Sequence, residues 1–183
     1  MRKAFFSLLA SACALLMFGT SHAWAEQDAD AGGAYASKLA TIFWGIVGYT
    51  HWPDGEGALR VCLSGDDRHS TTIRRSAMEL RHRVITLFEP EDAVGACDVV
   101  YVSGTGMEEV GKLSRLLAGT PVLTIGDDER FCDMGGMFCL LPSDGRGGEG
   151  SIDKVAMNEN VISRSALRIN PQVLRLMKRN QER

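Results

Sequence analysis

The sequence predicts an α/β fold: a single domain with a mostly parallel sheet of about five to six strands and helices on both faces. Short apolar runs bounded by glycine, aspartate or serine recur along the chain, as expected of buried strands. Several of the stretches between them carry apolar residues at helical spacing. One run is apolar almost throughout, which is typical of a strand covered on both faces. The predicted strands are 59–63, 84–88, 97–102, 122–125, 137–141 and 151–157.

Helical patterns alternate with these strands and complete the prediction. Asn158 is a typical N-terminal cap, and the pair Asn170-Pro171 is suited to start a last helix. The remaining predicted helices are 34–49, 69–80 and 107–117. Strand–helix alternation implies right-handed crossovers, and in a 2-1-3-4 order the first predicted strand would lie beside the third. The runs 137–141 and 151–157 would form an antiparallel hairpin at one edge.

The amino terminus has the features of an export signal. Arg2 and Lys3 give a basic start, an apolar run covers 4–19, and Ala23-Trp24-Ala25 is a small-x-small cleavage site. The apolar run is short for a membrane span, so a cleaved signal peptide over 1–25 is favoured over an uncleaved anchor. We therefore expect a mature domain over 26–183 in the periplasm or outside the cell.

The charge of the chain argues against nucleic acid as a partner. The chain of 183 residues has a formal charge of −3. Removal of Arg2 and Lys3 would leave 18 basic and 23 acidic residues, which makes the mature chain mildly acidic. A mildly acidic chain is poorly suited to bind nucleic acid.

Four cysteines follow the predicted signal, and an even number in an exported domain suggests two disulfides with three possible pairings. Cys132 and Cys139 bracket Gly135-Gly136, and two glycines let the backbone reverse through positive φ. This favours a Cys132–Cys139 bridge in a strand–turn–strand unit at the middle of the sheet, with two unrelated buried thiols as the alternative. Cys62 and Cys97 would then form the second bridge, between neighbouring strands.

One turn could bind a ligand. The segment 103–106 lies between a predicted strand and a predicted helix, where open α/β sheets bind ligands and stabilise anions. Ser103, Thr105 and Gly106 are therefore candidate ligand-binding residues, although a helix start explains the serine and threonine equally well. Nearby arginines would form either a solvated face or part of an anion site: Arg74, Arg75, Arg81 and Arg83.

Catalytic and metal-binding patterns are not found in the sequence. His51, His69 and His82 lack the paired spacing of metal ligands, and neither Cys-x-x-Cys nor Gly-x-Ser-x-Gly occurs. The acidic turn 127–129 could hold a cation, but such turns are usually solvated. We therefore predict a protein that is not an enzyme and that has no cofactor.

The carboxyl end is rich in apolar residues. They either pack across the sheet or form an exposed patch that binds a partner or a second subunit. The candidate partner-binding residues are Ile162, Leu167, Ile169, Val173, Leu174, Leu176 and Met177.

The order of several motifs resembles the YfiR family of periplasmic proteins. The amino-terminal helix ends near Trp52-Pro53, and 97–103 reads Cys-Asp-Val-Val-Tyr-Val-Ser. The motif Leu-Thr-Ile-Gly-Asp follows at 123–127, then Gly-Gly-Met at 135–137, and Leu-Arg-Ile at 167–169 near the end. The likeness covers nearly all of the mature chain.

The resemblance implies a regulator without catalysis. Such proteins bind the periplasmic sensor domain of a YfiN-type inner-membrane diguanylate cyclase and repress cyclic di-GMP synthesis. A YfiB-type, OmpA-like outer-membrane lipoprotein sequesters them and relieves the repression, which favours biofilm growth. The resemblance also implies a homodimer and two disulfides, which match Cys62, Cys97, Cys132 and Cys139.

One segment departs from the family pattern: 151–158 carries Lys154 where relatives have a more apolar run. This change affects the predicted surface of the edge strand. The alternative function is a periplasmic protein that binds a small anionic or aromatic metabolite at the 103–106 turn.

Overall fold

The computed structural model describes residues 23–55, 57–65, 68–142 and 152–173. Its strands are β1 (Thr50–His51), β2 (Arg60–Ser64), β3 (Arg83–Leu87), β4 (Val99–Val102), β5 (Leu123–Gly126), β6 (Phe138–Pro142), β7 (Ile152–Met157) and β8 (Arg168–Ile169). Its helices are α1 (Ala23–Gly48), α2 (Arg68–Glu79), α3 (Met107–Leu116), α4 (Glu129–Asp133) and α5 (Glu159–Arg164), with a 3-10 turn at Pro90–Ala93.

Six strands form one sheet in the order β3-β2-β4-β5-β6-β7, and the first five are mutually parallel. β7 runs antiparallel to β6 and closes one edge as a hairpin strand. The predicted α/β class, the strand order and the terminal hairpin are therefore confirmed. After β3 the chain crosses back and adds β4 on the other side of β2, so that β2 and β4 lie side by side.

Alternation along the strands divides the core into two clusters. On one face Val61, Leu63 and Tyr101 pack against α1 and α2, forming what we call the helix-covered face. On the other face Cys62 and Val100 pack against α3 and α4, forming the bridged face. Because both faces of the central strands are buried, these strands read as continuous apolar runs.

The amino-terminal helix corrects the sequence-based prediction. α1 begins at Ala23, well before the predicted start at residue 34, because alanine-rich sequence supports helix even next to the glycines that suggested a frayed start. The helix ends at Gly48, and Thr50 and His51 then pair with Ile169 and Arg168 in a two-stranded ribbon. Strands of two residues are too short to show a period, so this ribbon was not predicted.

The stretch between β5 and β6 also differs from the prediction. It is not a strand–turn–strand unit, because β5 and β6 are parallel and a tight turn cannot connect parallel strands. The short helix α4 occupies the connection, and Asp128 caps it by accepting a hydrogen bond from the Arg130 amide at 2.9 Å. Of the two glycines only Gly135 has a positive φ, of 106°. A Cβ at Gly136 would lie 2.2 Å from the Phe131 ring, so this glycine allows close packing.

Two other predictions concern helix starts. Asn158 caps α5 as predicted, accepting a hydrogen bond from the Val161 amide at 3.1 Å. Residues 171–173 are helical, and the Gln172 amide donates to the Asn170 side chain at 2.9 Å. The rest of the predicted last helix lies outside the described residues, as does most of the predicted signal peptide.

Candidate functional site

A cleft of 490 Å³ opens at the carboxyl ends of β2 and β4, where the direction of strand addition reverses. Open α/β sheets bind ligands at this place, because the loops that leave the two strands diverge there. Hydroxyl groups, one guanidinium and two carboxylates line the cleft together with apolar side chains. The polar lining residues are Ser64, Ser70, Thr71, Arg74, Thr86, Glu89, Thr105 and Glu109.

The floor of the cleft is made by close contact between the loops after β2 and β4. The Ser103 amide donates to the Ser64 carbonyl at 3.1 Å. Gly65 has a φ of 90°, and a Cβ on it would lie 1.6 Å from the Ser103 carbonyl oxygen. Only glycine fits here, since any side chain would push the two loops apart.

The three predicted ligand-binding residues are not equivalent in the structure. Thr105 lines the cleft, and its Oγ1 lies 3.4 Å from Ser64 Oγ. Gly106 caps the amino end of α3 without a side chain to accept a hydrogen bond. Ser103 does not line the cleft, because its hydroxyl points to Asp127. Ligand binding at this turn therefore remains a prediction, with Thr105 as its best-placed residue.

Arg74 was predicted only as one of four arginines on a face of α2 and its surroundings. It is half-buried on the wall of the cleft, and its guanidinium donates to Thr86 Oγ1 at 3.0 Å. Arg75, Arg81 and Arg83 are exposed. What distinguishes Arg74 from the other three arginines is its position on the side of α2 that faces β3.

Beside the cleft, three side chains converge on one carboxylate oxygen of Asp127, which the sequence analysis considered only as part of an acidic turn. Ser103 and Tyr101 donate to Asp127 Oδ2, the tyrosine at 3.1 Å. His69 Nδ1 lies 3.5 Å from the same oxygen, and the Tyr35 ring lies 4.8 Å from the imidazole. Tyr101 lies in β4, Ser103 directly follows β4, and Asp127 directly follows the neighbouring β5. The register of these two parallel strands could therefore have indicated the cluster.

The geometry of the Asp127 cluster is that of a cross-link between elements. The Ser103 hydroxyl donates to the carboxylate and not to the imidazole of His69, so the serine is not paired with a base as a nucleophile would be. His69 is only 5% exposed, and its contacts connect α2 to β5 and, through Tyr35, to α1. Among the described residues no group of three or more His, Cys, Asp or Glu could hold a metal ion.

Both predicted disulfides are present. Cys62 and Cys97 are bridged with their Cα atoms 5.8 Å apart, and Cys132 and Cys139 with theirs 6.0 Å apart. The first bridge joins β2 to the start of β4, and the second joins α4 to β6. All four sulfurs belong to the bridged face.

An ion pair flanks the first bridge at the amino ends of the strands. Arg60 contacts the Asp98 carboxylate with its side chain at 2.6 Å and with its amide at 2.7 Å. Burial alone would raise the pKa of Asp98, but the hydrogen bonds and charge of Arg60 hold that pKa below its usual value. Trp52, expected to cover the core, also donates from Nε1 to the Asp98 carbonyl at 3.2 Å.

The predicted partner-binding residues divide between core and surface. Leu167 and Val173 are buried and so face away from any partner in this conformation. Ile162 and Ile169 are half-exposed and pack against the edge of the helix-covered core. Leu174, Leu176 and Met177 lie outside the described residues. Partner binding by this segment stays a prediction that now rests on Ile162 and Ile169.

A comparison with known protein families identifies the family of this chain. Within the part of the chain that the structure describes, no helix combines the length and the apolar character needed to cross a bilayer. A family model described as YfiR/HmsC-like (DUF4154) matches residues 36–178, which is most of the chain and includes all four bridged cysteines. The chain belongs to the YfiR/HmsC-like family.

Proposed function

We propose that this protein is a periplasmic repressor that binds the sensor domain of an inner-membrane diguanylate cyclase and lowers cyclic di-GMP synthesis. Family membership over residues 36–178 carries the proposal, since it points to a periplasmic regulator in cyclic di-GMP signalling rather than to an enzyme. In this proposal residues 1–25 are removed on export and 26–183 act in the periplasm, as a homodimer. An OmpA-like outer-membrane lipoprotein competes for the protein and relieves the repression, which favours biofilm growth.

Such control requires only that the protein bind one state of the cyclase more tightly than the other. Two disulfides support a role in an oxidising compartment and a sensitivity to its redox state. Reduction of a bridge would lower the folded fraction of the repressor and so release the cyclase.

Cellular cyclic di-GMP tests the proposal, measured with and without this gene in a strain that keeps the cyclase. We expect a rise on deletion that the wild-type chain reverses and that a chain without residues 1–25 does not. An unchanged cyclic di-GMP level would sink the repressor role. A chain carrying Cys132→Ser and Cys139→Ser should repress less, and full repression by it would disprove the redox link.

The contribution of the carboxyl segment can be tested in the same strain. Ile162→Glu and Ile169→Glu place a charge on half-exposed apolar positions and should weaken repression if this segment contacts the cyclase. Val94→Glu is the matched control, because Val94 is 52% exposed and follows the 3-10 turn that packs on the bridged face, whereas Ile162 and Ile169 pack against the helix-covered face. Repression at the wild-type level by all three variants would mean that the cyclase contacts another surface.

A second candidate function is the binding of a small anionic or aromatic metabolite, and the 490 Å³ cleft with Arg74 and Thr105 favours it. A cleft of this size suits a small molecule. A rise in melting temperature with such a metabolite, lost in Thr105→Lys, would support this function. An absent shift across anionic and aromatic metabolites would count against it.

A further inference from the structure

β3 is the outermost strand of the sheet, and its free edge presents backbone groups that no other described strand pairs. The Arg83 amide donates to the Leu59 carbonyl at 2.8 Å, so Arg83 faces β2. In a parallel ladder the N–H and C=O of alternate residues point the same way. Ile85 and Leu87 therefore also face β2, while Val84 and Thr86 direct their N–H and C=O away from the sheet. Such an edge can accept another strand.

Exposed apolar side chains lie at both ends of this edge. Phe88, directly after β3, is 86% exposed. Met78 and Leu80, at the end of α2 and so near the start of β3, are 60% and 52% exposed. Single exposed apolar residues are ordinary, but three around one open strand indicate a surface that a partner covers.

The edge is also basic in a chain whose formal charge is −3. Arg83 is exposed at the start of the strand, and Arg81 precedes it with a left-handed φ of 61°. The guanidinium of Arg74 reaches Thr86 from the α2 side. Glu79 is the acidic residue near the start of the edge. After its end, the Glu89 amide donates to the Asp92 carboxylate, and Glu91 is paired with Lys112. A second copy of the chain would bring two such basic edges together, so the charge favours an acidic partner strand over self-pairing.

We propose that the free edge of β3 binds an extended segment of another protein in which two acidic residues flank two apolar ones. The acidic residues would lie opposite Arg83 and opposite Thr86, where the second meets the Arg74 guanidinium. These positions are three residues apart and on opposite faces of the strand. The apolar pair between them lies opposite Val84 and Ile85, which are half-buried. The motif acidic–apolar–apolar–acidic is the same in both directions, so it fits parallel or antiparallel addition.

This surface is independent of the proposed repressor function. It lies at the opposite edge of the sheet from β7 and the carboxyl segment considered above. If deletion of the gene left cyclic di-GMP unchanged, peptide binding at this edge would still be expected. If the peptide did not bind, the repressor proposal would stand.

The test is the titration of the purified chain with a fluorescent peptide of about ten residues centred on Glu-Val-Ile-Glu. We expect a saturable rise in anisotropy and about tenfold weaker binding for Arg83→Glu and for Arg74→Glu. A peptide centred on Lys-Val-Ile-Lys should not bind. Arg115→Glu, an exposed arginine on α3, should bind as the wild type does.

The backbone contribution is tested separately from the charges. Thr86→Pro removes one outward N–H that no strand in the described part of the sheet accepts, and should abolish binding; Thr86→Val keeps the N–H and should retain measurable binding. In case the proline variant unfolds, amide NMR of the wild type should show the largest peptide-induced shifts at Val84 and Thr86. Absent binding, or binding unchanged in Arg83→Glu with shifts elsewhere, would overturn the proposal. The proposal would also be overturned if the chain forms a dimer that Thr86→Pro dissociates and that the peptide does not dissociate. The edge of β3 would then pair with a second copy of the chain.

Discussion

The two faces of the sheet are stabilised in different ways. Of the twelve side chains that are the largest among the fully buried ones, all but Leu113 belong to the helix-covered face. The bridged face is covered by α3, α4 and the 3-10 turn, which have 10, 5 and 4 residues, whereas α1 has 26. Both disulfides lie on the bridged face. Where short elements provide less apolar area, covalent links restrict the unfolded chain instead.

The largest expected effect is on the helix-covered face. Phe43 is fully buried in α1, with its ring 5.9 Å from that of Tyr101 and nearly perpendicular to it. Phe43→Ala should lower the free energy of unfolding by about 4 kcal/mol, because it removes apolar burial and leaves a cavity. Urea denaturation measures this, with Phe43→Leu as the milder control. A loss below about 1 kcal/mol would mean that this face contributes much less than its burial implies.

The two bridges should differ in the same measurement. Cys62 and Cys97 are separated by 35 residues, and Cys132 and Cys139 by 7. The chain-entropy model gives losses of about 3.8 kcal/mol for Cys62→Ala with Cys97→Ala and about 2.5 kcal/mol for Cys132→Ala with Cys139→Ala. Reductant should narrow the difference between wild type and each variant, and it should leave the effect of Phe43→Ala largely unchanged. The reverse order of the two losses would show that local packing, and not loop length, dominates.

The sequence predicted those features that depend on local pattern. Short apolar runs gave the six strands of the sheet, and the alternation with helices gave their order. Asn158 was predicted as a cap because the capping hydrogen bond reaches only three residues along the chain. The bridge between Cys132 and Cys139 was predicted from a tight turn at Gly135-Gly136, and it is present although the short helix α4 lies between the strands.

Apart from the Cys62–Cys97 bridge, side-chain contacts between distant segments were missed. Tyr101 and Asp127 meet only because β4 and β5 lie side by side, and the acidic turn that contains Asp127 does not indicate which residues it contacts. The same holds for Arg60 and Asp98, which are 38 positions apart. In the carboxyl segment the apolar spacing could not separate the buried Leu167 from the half-exposed Ile169, because the pairing of β8 with the distant β1 decides which side chain turns inward.

The ion pair between Arg60 and Asp98 gives the bridged face a pH dependence. Arg60 is two residues before Cys62 and shares its side of β2, and Asp98 directly follows Cys97. The side chain of Asp98 is 21% exposed and accepts from both the Arg60 guanidinium and the Arg60 amide. Asp98→Asn should therefore lower the free energy of unfolding by about 2 kcal/mol at neutral pH. The exposed Asp54, changed to Asn, is the matched control and should cost less than about 0.5 kcal/mol.

The sign of the pH effect follows from the lowered pKa of Asp98 in the folded chain. Above the unfolded-state pKa, near 3.8, the pair stabilises the fold fully, and this contribution is lost as the pH falls through the folded-state pKa. The gap between wild type and Asp98→Asn should therefore be constant from neutral pH down to about 5 and shrink below about 4. Phe43→Ala should keep the same deficit over that range, because no titrating group accounts for its effect. A gap for Asp98→Asn that stays constant below pH 4 would show that the charge of Asp98, and with it the ion pair to Arg60, does not carry the stabilisation at this position.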